Sequence, residues 1–509
     1  MIQLFFNRST IQNNSHRHPK ARPLPKKAGP PLVSHLRVFA LLLGLLGALP
    51  SFARVYIDIS GATVRKAKLA VGELHPLKGS RTATPAELKE LESEIREDLK
   101  FTDLFDLMDR SAFAHLDTPE YLYKIRYQEW GLTGASFVIK FGYRIVGSKL
   151  SLEVFLYDIP GRAKVFSTRY EYAVNKYYQL VHAMADDVLK EITGEKGLFR
   201  SRILMVCRDT NRRNANKEIY LVNPDGRELT QVTRDNTLTV GPAWGPGGAS
   251  VSYTQYKLRR VKNKLGRFER RTIPVLMQHF LKSGRRIVLS ERNGMNSGAA
   301  WAPNGAQLAL TLSYTGRPEI YLLNASGKGE PEPLSRAMKL RRISGIGFQP
   351  TYVSTLFDVE PSWAPKGDQL VFSSARTGHP MIYVMDIASR EARQLTFAGQ
   401  YNSSPSWSPK GDKILFAAQH HANGNFDVYV IDPDGNNLAR LTAGGKVGMR
   451  KINYENPVWA STGRHFAYAG NEDNKVYQIY VRTLDGSTVK KISPPNKECT
   501  MPAWGPPED

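Results

Sequence analysis

Residues able to carry catalysis or to bind a metal are present, but their spacing matches no reactive motif. The sequence has no Gly-x-Ser-x-Gly nucleophile turn, no Gly-x4-Gly-Lys-Ser/Thr phosphate loop and no His-Glu-x-x-His helix. His420 and His421 are adjacent, yet no other histidine stands at ligand spacing, so two solvated histidines are favoured over a metal site. We therefore expect a protein that is not an enzyme and uses no cofactor and no metal.

Three acidic residues stand directly before glycine, at Asp225, Asp434 and Asp485. Aspartate followed by glycine is typical of tight turns, because the carboxylate bonds to the backbone two residues on and glycine allows positive φ. Turn formation thus explains these acids without a catalytic role.

The elements that carry these turns follow a repeat marked by tryptophan. Six of the seven tryptophans occur in one context, Pro-x-Trp or Ala-Ala-Trp, and a glycine follows four residues after each of the first five. Trp-x-Pro-x-Gly predicts a strand, a tight turn and a return strand. The six are Trp244, Trp301, Trp363, Trp407, Trp459 and Trp504.

Each repeat predicts four strands. The second is a short apolar run such as Gln369–Ser374, the third resembles Glu319–Leu323, and the fourth lies in a segment ending in Leu-Thr or a similar pair. Residues 202–509 hold six repeats of about 50 residues, a length typical of propeller blades. The strand around Trp504 is expected to complete the blade that begins at Arg202, which closes the ring.

Residues 54–193 predict a separate α/β domain. Thr84-Pro85-x-Glu87 is a capping box that opens a helix through Lys100, and Asn175–Ile192 has helical spacing. Strands are expected at Lys68–Val71 and in a hairpin about Gly147. Residues 194–201 form the expected linker, so the predicted fold is an α/β N-terminal domain followed by an all-β six-bladed propeller over residues 202–509.

Residues 1–53 predict a secretory signal peptide with a long basic leader. An apolar run from Val38 to Leu49 precedes Ser51-Phe52-Ala53, a small-x-small pattern with cleavage between Ala53 and Arg54. The alternative is a membrane anchor, but a spanning helix needs roughly 20 apolar residues. Translation from Val33 would give a more ordinary basic region.

The mature chain remains basic. Residues 1–53 hold seven of the basic residues and no acid, so removing them lowers the net charge from +23 to +16. Eight basic residues and one acid lie within Lys257–Arg271, which is interpreted as a solvated loop or as an anionic contact. Export argues against nucleic acid as the partner.

The chain has two cysteines, Cys207 and Cys499. Repeat alignment places both in the first blade, with Cys207 opposite Thr500. Because successive side chains in a strand point to opposite faces, this one-residue offset favours two separate buried thiols over a disulfide. A bulge would permit the bond.

The mature sequence resembles the TolB family, periplasmic propellers of the bacterial Tol–Pal system. The resemblance rests on the repeat Trp-Ser-Pro-x-Gly…Ile-Tyr-Val-Met-Asp, the junction 192–203 and the start at 55–61. It implies a periplasmic adaptor between the inner-membrane protein TolA and the peptidoglycan-associated lipoprotein, Pal, that supports outer-membrane integrity and invagination at cell division. The alternative is a secreted propeller that binds a small ligand or glycan.

The resemblance also implies partner-binding residues on a monomer that reaches membranes only through its partners. The mature N-terminus is expected to engage TolA, the alternative being an internal strand of the α/β domain. Loops leading into the Pro-x-Trp strands are expected to bind Pal, the alternative being solvated loops without a partner. The TolA segment is Arg54, Val55, Tyr56, Ile57, Asp58, Ile59, Ser60 and Gly61. The Pal candidates are Asn296, Ser297, Val359, Glu360, Asn402, Ser403, Glu455 and Asn456.

Overall fold

The computed structural model describes residues 66–508, with gaps at 214, 263–265, 336–338, 344–346, 352–355, 421–423, 448–449 and 473–475. The predicted signal peptide lies outside the described residues. The described chain forms an α/β region followed by a six-bladed β-propeller, which confirms the expected fold class. Within these residues, no helix combines the length and apolarity needed to cross a bilayer.

The α/β region is built on one five-stranded sheet, whose strands are β1 (Ala67–Pro76), β2 (Phe105–Leu107), β3 (Phe137–Val146), β4 (Lys149–Asp158) and β5 (Ala163–Ala173). Their order in the sheet is β2-β1-β3-β4-β5, and β1 runs parallel to β2 and β3. Its helices are α1 (Pro85–Phe101), α2 (Tyr127–Leu132) and α3 (Tyr177–Thr193), with 3₁₀ turns at Arg110–Ala112, Ala114–Leu116, Pro119–Tyr121 and Val174–Lys176.

Alternation along the strands gives this sheet two buried faces. Leu69 and Val71 pack with the long helices α1 and α3, whereas Ala70 packs on the other face with Trp130. The predicted capping box starts α1: the Glu87 N–H donates to Thr84 Oγ1 at 3.2 Å, and the Thr84 N–H donates to Glu87 Oε2 at 2.8 Å.

Six four-stranded sheets form the propeller blades. Blades 1 to 3 are β33 (Lys497–Trp504), β6 (Ile203–Asp209), β7 (Glu218–Val222), β8 (Thr230–Gln231); β9 (Thr239–Trp244), β10 (Ser250–Lys262), β11 (Phe268–Phe280), β12 (Arg286–Ser290); and β13 (Asn296–Trp301), β14 (Gln307–Leu312), β15 (Glu319–Asn324), β16 (Glu332–Pro333). A 3₁₀ turn spans Pro246–Gly248. Blade 1 is closed by the last strand, as the repeat predicted.

The remaining three blades follow in chain order. They are β19 (Asp358–Trp363), β20 (Gln369–Ser374), β21 (Met381–Asp386), β22 (Ala392–Gln394); β23 (Asn402–Trp407), β24 (Ile414–Ala418), β25 (Asp427–Ile431), β26 (Ala439–Arg440); and β29 (Tyr454–Trp459), β30 (His465–Gly470), β31 (Gln478–Thr483), β32 (Val489–Lys491). Two small hairpins join blades, β17 (Lys339–Ile343) with β18 (Gly347–Thr351), and β27 (Lys446–Val447) with β28 (Arg450–Lys451).

Four of the repeated tryptophans, Trp244, Trp301, Trp363 and Trp459, donate an indole hydrogen bond to the preceding blade. The indole N–H of Trp363 in blade 4 donates to Ala300 O in blade 3 at 2.9 Å, and that of Trp459 in blade 6 donates to Ser406 O in blade 5 at 3.1 Å. Trp244 in blade 2 likewise donates to Ala503 O in blade 1 at 3.0 Å. The tryptophan that defines the sequence repeat therefore has a structural role between blades.

The Leu-Thr pairs lie just beyond the fourth strands in most blades. In blade 4, β22 ends at Gln394, and the Thr396 hydroxyl accepts from the Ile382 N–H at 3.0 Å. In blade 5, Thr442 accepts from the Val428 N–H at 2.9 Å. The threonine hydroxyl thus accepts a hydrogen bond from a backbone N–H of the third strand. The fourth strand ends before the threonine and is therefore shorter than predicted.

The inner strands β9, β13, β19, β23, β29 and β33 contact one another in a closed ring. Each inner strand carries a bulge where its register with the second strand shifts. One residue of every bulge has positive φ: Gly241, Gly298, Glu360, Ser404, Asn456 and Met501. At each of these bulges two residues of the inner strand stand opposite one residue of the second strand, which bends the inner strand.

The bulge in β33 corrects the predicted position of the cysteines. Cys499 lies directly opposite Cys207, rather than one position away, because the register shifts between Thr500 and Ala503. The two sulfurs form a disulfide with the Cα atoms 4.2 Å apart. The favoured interpretation of two separate thiols is therefore wrong in this structure, and its cause is an alignment that did not include the bulge.

The basic stretch of blade 2 is a β-hairpin, not a loop. Strands β10 and β11 pair in unbroken register from Ser250 with Phe280 to Lys262 with Phe268. The neighbouring strands are shorter, since β9 pairs with β10 only up to Gln255 and β12 pairs with β11 only from Leu276. The basic residues thus lie on a two-stranded extension of the blade.

Candidate functional site

The residues predicted to bind Pal lie at the start of the inner strands, which surround the central channel of the propeller; this end is called here the channel end. They occupy the first three positions of inner strands β13, β19, β23 and β29, and not the preceding loops as predicted. The correction follows from the bulge, because pairing with the second strand begins before the distortion and continues after it.

A polar chain crosses three blades at this position. The Ser404 N–H donates to Glu360 Oε2 at 2.6 Å, and Asn456 Nδ2 donates to Ser404 Oγ at 3.2 Å. Glu455 accepts a hydrogen bond from the Tyr477 hydroxyl. Glu360, Glu455 and Asn456 each keep part of their surface exposed.

Two carboxyl groups of this channel surface have perturbed acidity. Burial raises the pKa of Glu360, and the hydrogen bonds from Ser404 offset only part of that effect. Burial also raises the pKa of Glu455, against the opposing hydrogen bond from Tyr477. A partly desolvated carboxylate gains from a donor supplied by a ligand or a partner, so the channel can accept one.

The other predicted Pal residues differ in how accessible they are. Ser297, Val359 and Ser403 are partly exposed beside the bulges. Asn296 and Asn402 are fully buried: Asn296 Nδ2 donates to Arg292 O at 2.7 Å, and Asn402 Nδ2 donates to Thr396 Oγ1 at 2.8 Å. These two asparagines fix the chain that leads into the inner strands, so any contribution to binding is indirect.

The predicted TolA segment and the cleavage position are not covered by the structure. Arg54, Val55, Tyr56, Ile57, Asp58, Ile59, Ser60 and Gly61, like Ala53, lie outside the described residues. Their assignment stays a prediction from the sequence.

A buried ionic cluster that was not predicted from the sequence joins the α/β region to blade 1. His182 of α3 bonds through Nδ1 to Asp98 Oδ2 of α1 at 2.6 Å and through Nε2 to Asp225 Oδ2 of blade 1 at 2.9 Å. Arg227 binds both oxygens of Glu94 at 2.6 and 2.8 Å. The His182 ring stacks on Phe199, with centroids 4.8 Å apart.

His182 is held as a cation in this cluster. Burial opposes its charge, but the hydrogen bonds to Asp225 and Asp98 outweigh burial and raise the His182 pKa to about 9. Burial raises the pKa of Asp98 to about 6, against the effect of His182. At neutral pH both ring nitrogens therefore donate, each to a different domain.

Glu94, His182 and Asp225 also stand close enough to be considered as metal ligands, with candidate atoms within 4.8 Å of one another. Each is already bonded inside the cluster: Glu94 to Arg227, and His182 to two carboxylates. The guanidinium and the imidazolium supply the positive charge that a metal would bring. The arrangement therefore fits an interdomain salt-bridge cluster better than a metal centre.

Asp225 shows how a turn residue can have two functions. Its Oδ1 accepts from the Arg227 N–H at 2.9 Å, the turn bond expected of Asp-Gly, while its Oδ2 faces His182. Only the first function could be predicted, because the second depends on how the domains pack. In the sequence, His182 is one of several residues in the middle of an amphipathic helix, and nothing nearby indicates its partners.

Comparisons with known proteins agree with this architecture. Residues 189–508 match the family model described as the TolB beta propeller domain, and residues 55–165 match the TolB amino-terminal domain. The Tol-Pal system protein TolB of Desulfosudis oleivorans is 31% identical over 297 residues, which are 56% of this chain and 62% of that protein. The protein TolB homolog of Chlorobium luteolum is 27% identical over 404 residues, 79% of this chain and 84% of that protein.

A solved structure shares the fold. The crystal structure of TolB from Acinetobacter baumannii superposes with a TM-score of 0.66 at 21% sequence identity and covers 89% of this chain and 99% of that chain. The propeller match alone extends over more than half of the sequence, and the region before it matches the second family model. The chain therefore belongs to the TolB family.

Proposed function

We propose that the protein is a non-enzymatic periplasmic adaptor of a Tol–Pal system, which links TolA in the inner membrane to Pal and so supports outer-membrane integrity and invagination at division. The observation that carries this proposal is the match of both regions to TolB family models. The relatives named as Tol-Pal system proteins support it. A protein that binds two partners needs two separate surfaces, and the chain offers two candidates.

The first surface is the channel end of the propeller, which we assign to Pal. Its supports are the polar chain Glu360–Ser404–Asn456 and the raised pKa of both channel carboxyls. These groups are partly exposed and partly desolvated, so a partner that inserts hydrogen-bond donors gains more there than at an open surface. Glu360 and Asn456 have positive φ, a backbone conformation that is uncommon outside glycine and is often found at binding sites.

Replacing Glu360 and Asn456 together with alanine is expected to weaken Pal binding by about tenfold or more, because both side chains lie at a confined polar site. Titration of purified Pal into the mature chain by calorimetry measures the effect. The matched control is Lys366→Ala with Asp368→Ala, in the turn at the opposite end of β19. If only the control pair weakens binding, the wrong end of the propeller was chosen.

The second surface is the mature N-terminus. Deleting Val55–Ile59 is expected to abolish capture of TolA, because a strand-like terminal segment can bind by adding a strand to its partner. The thermal transition of the remaining chain should not move. A same-length Gly-Ser replacement separates sequence from length, and retained TolA capture by both variants contradicts the assignment. Recovery of a saccharide without either protein partner from an envelope extract would instead favour the ligand-binding alternative.

A further inference from the structure

The hairpin of blade 2 extends beyond its sheet as an arm, defined here as Lys257–Lys262 paired with Phe268–Ile273. Neither β9 nor β12 pairs with these residues, so both edges of the arm are open. Six residues per strand give it a length of roughly 20 Å. The base is anchored, since Arg259 forms an ion pair with Glu291 at 3.1 Å.

The two faces of the arm differ in composition. Directly opposed residues share a face, so Leu258 with Thr272 and Arg260 with Arg270 lie on one side, together with Phe268. The other side carries Arg259, Arg271 and Glu269, where both arginines have acidic partners. The first side, called here the outer face, consists of Leu258, Arg260, Phe268, Arg270 and Thr272.

The outer face combines exposed apolar and basic groups. Leu258 is 60% and Phe268 is 56% exposed, and the Arg260 guanidinium lies 4.7 Å from the centre of the Phe268 ring. Among the described residues, no carboxylate pairs with Arg260 or Arg270. Basic side chains on an open strand edge can serve only to prevent aggregation. Two large exposed apolar side chains would promote aggregation, so protection of the edge does not explain this face.

We propose that the outer face of the arm binds the surface of an anionic phospholipid bilayer. Arginine side chains meet the phosphates, while Leu258 and Phe268 enter the boundary between headgroups and acyl chains. Leucine cannot stack on a base, so the pair of apolar side chains favours a bilayer over a nucleic acid. This differs from the sequence expectation that the protein reaches a membrane only through its partners.

The arm is separate from both proposed partner surfaces, so its test uses the mature chain with lipid alone. Vesicles of phosphatidylethanolamine with phosphatidylglycerol are expected to bind the protein in a flotation assay, and vesicles of phosphatidylcholine are not. Each basic side chain near an anionic surface contributes about fivefold to affinity. Arg260→Glu with Arg270→Glu is therefore expected to weaken binding at least about 25-fold.

Two further variants separate the contributions. Leu258→Ser with Phe268→Ser keeps the charge and is expected to reduce vesicle binding several-fold. Lys89→Glu with Lys164→Glu changes the net charge equally on exposed residues of the α/β region, and it should change binding less than twofold. All variants are expected to unfold like the wild type, because the arm lies outside the four-stranded part of the blade. Thermal unfolding followed by circular dichroism checks this.

Three results would overturn the proposal. Absence of binding to the anionic vesicles is the first. Equal loss of binding in the Lys89 and Lys164 variant would show that net charge alone acts. Tighter binding to single-stranded DNA than to vesicles, unaffected by the serine variant, would assign the arm to nucleic acid. None of these results bears on the capture of TolA or Pal.

Discussion

Replacing His182 with alanine is expected to lower the free energy of unfolding by roughly 3–5 kcal/mol at neutral pH, the range for removing one member of a buried ionic cluster. The substitution leaves the carboxylates of Asp98 and Asp225 buried without the cation that both contact. Arg227 can offset part of the loss, since its guanidinium lies 3.3 Å from Asp225. Urea unfolding followed by tryptophan fluorescence measures the change.

The pH dependence identifies the cause. The folded-state pKa of His182 is raised to about 9 from an ordinary 6.5, so its stabilisation is complete below pH 6.5 and is lost as the pH rises to about 9. A shift of this size corresponds to about 3 kcal/mol. His182→Gln keeps a hydrogen bond but cannot titrate, so this pH dependence should disappear.

His115 provides the matched control, because it is exposed on a short turn of the same domain. His115→Ala is expected to change stability by less than about 0.5 kcal/mol and to keep the wild-type pH profile. If His182→Gln still loses stability between pH 6.5 and 9, another group titrates there and the cluster is not the cause.

The elements that sequence predicted well are those defined by local chemistry. Thr84, Pro85 and Glu87 satisfy the open end of α1 within four residues, and the structure starts the helix there. The Trp-x-Pro-x-Gly turns also require only local geometry, and Gly367 and Gly411 adopt the positive φ that the pattern predicts. One such turn is a weak indication of fold, but six copies at a regular spacing predict a six-bladed propeller.

Features that depend on packing were not visible in the same way. Strand β5 was not predicted, since most of its residues are partly or fully exposed and give no apolar pattern. The six bulges were also missed, because three of their positive-φ residues are Glu360, Ser404 and Met501, residue types that seldom adopt a left-handed backbone. That omission moved the predicted Pal residues into loops.

The candidate site was therefore predicted in part. The sequence placed Glu360, Glu455 and Asn456 in loops next to the Pro-x-Trp strands, whereas the structure places them within those strands and adds hydrogen bonds across blades. It did not identify Ser404, which links two of them. The His182 cluster could not be predicted, because its five residues come from α1, α3 and blade 1 and meet only after the domains pack.

Removal of the disulfide is expected to have an effect of similar size. Replacing both Cys207 and Cys499 with alanine should lower the free energy of unfolding by roughly 2–5 kcal/mol, because the bond closes a loop of 292 residues and restricts the unfolded chain. It joins the last strand to the strand that opens the propeller, so it fastens the one blade whose strands are distant in sequence. Chemical unfolding with and without reductant measures the loss.

Non-covalent contacts also join the last strand to the first blade. Loss of the disulfide is therefore expected to lower stability without preventing folding. Trp504 Nε1 donates to Ser201 Oγ at 2.7 Å, and Trp244 Nε1 donates to Ala503 O at 3.0 Å, so the ring should still form without the bond. Because both cysteines are fully buried, alanine also removes packing, and reduced wild-type protein is the better reference for the bond itself. Reductant should destabilise the wild type and leave Cys207→Ala with Cys499→Ala unchanged. Two free thiols in denatured, unreduced protein from an oxidising compartment would show that the disulfide does not form.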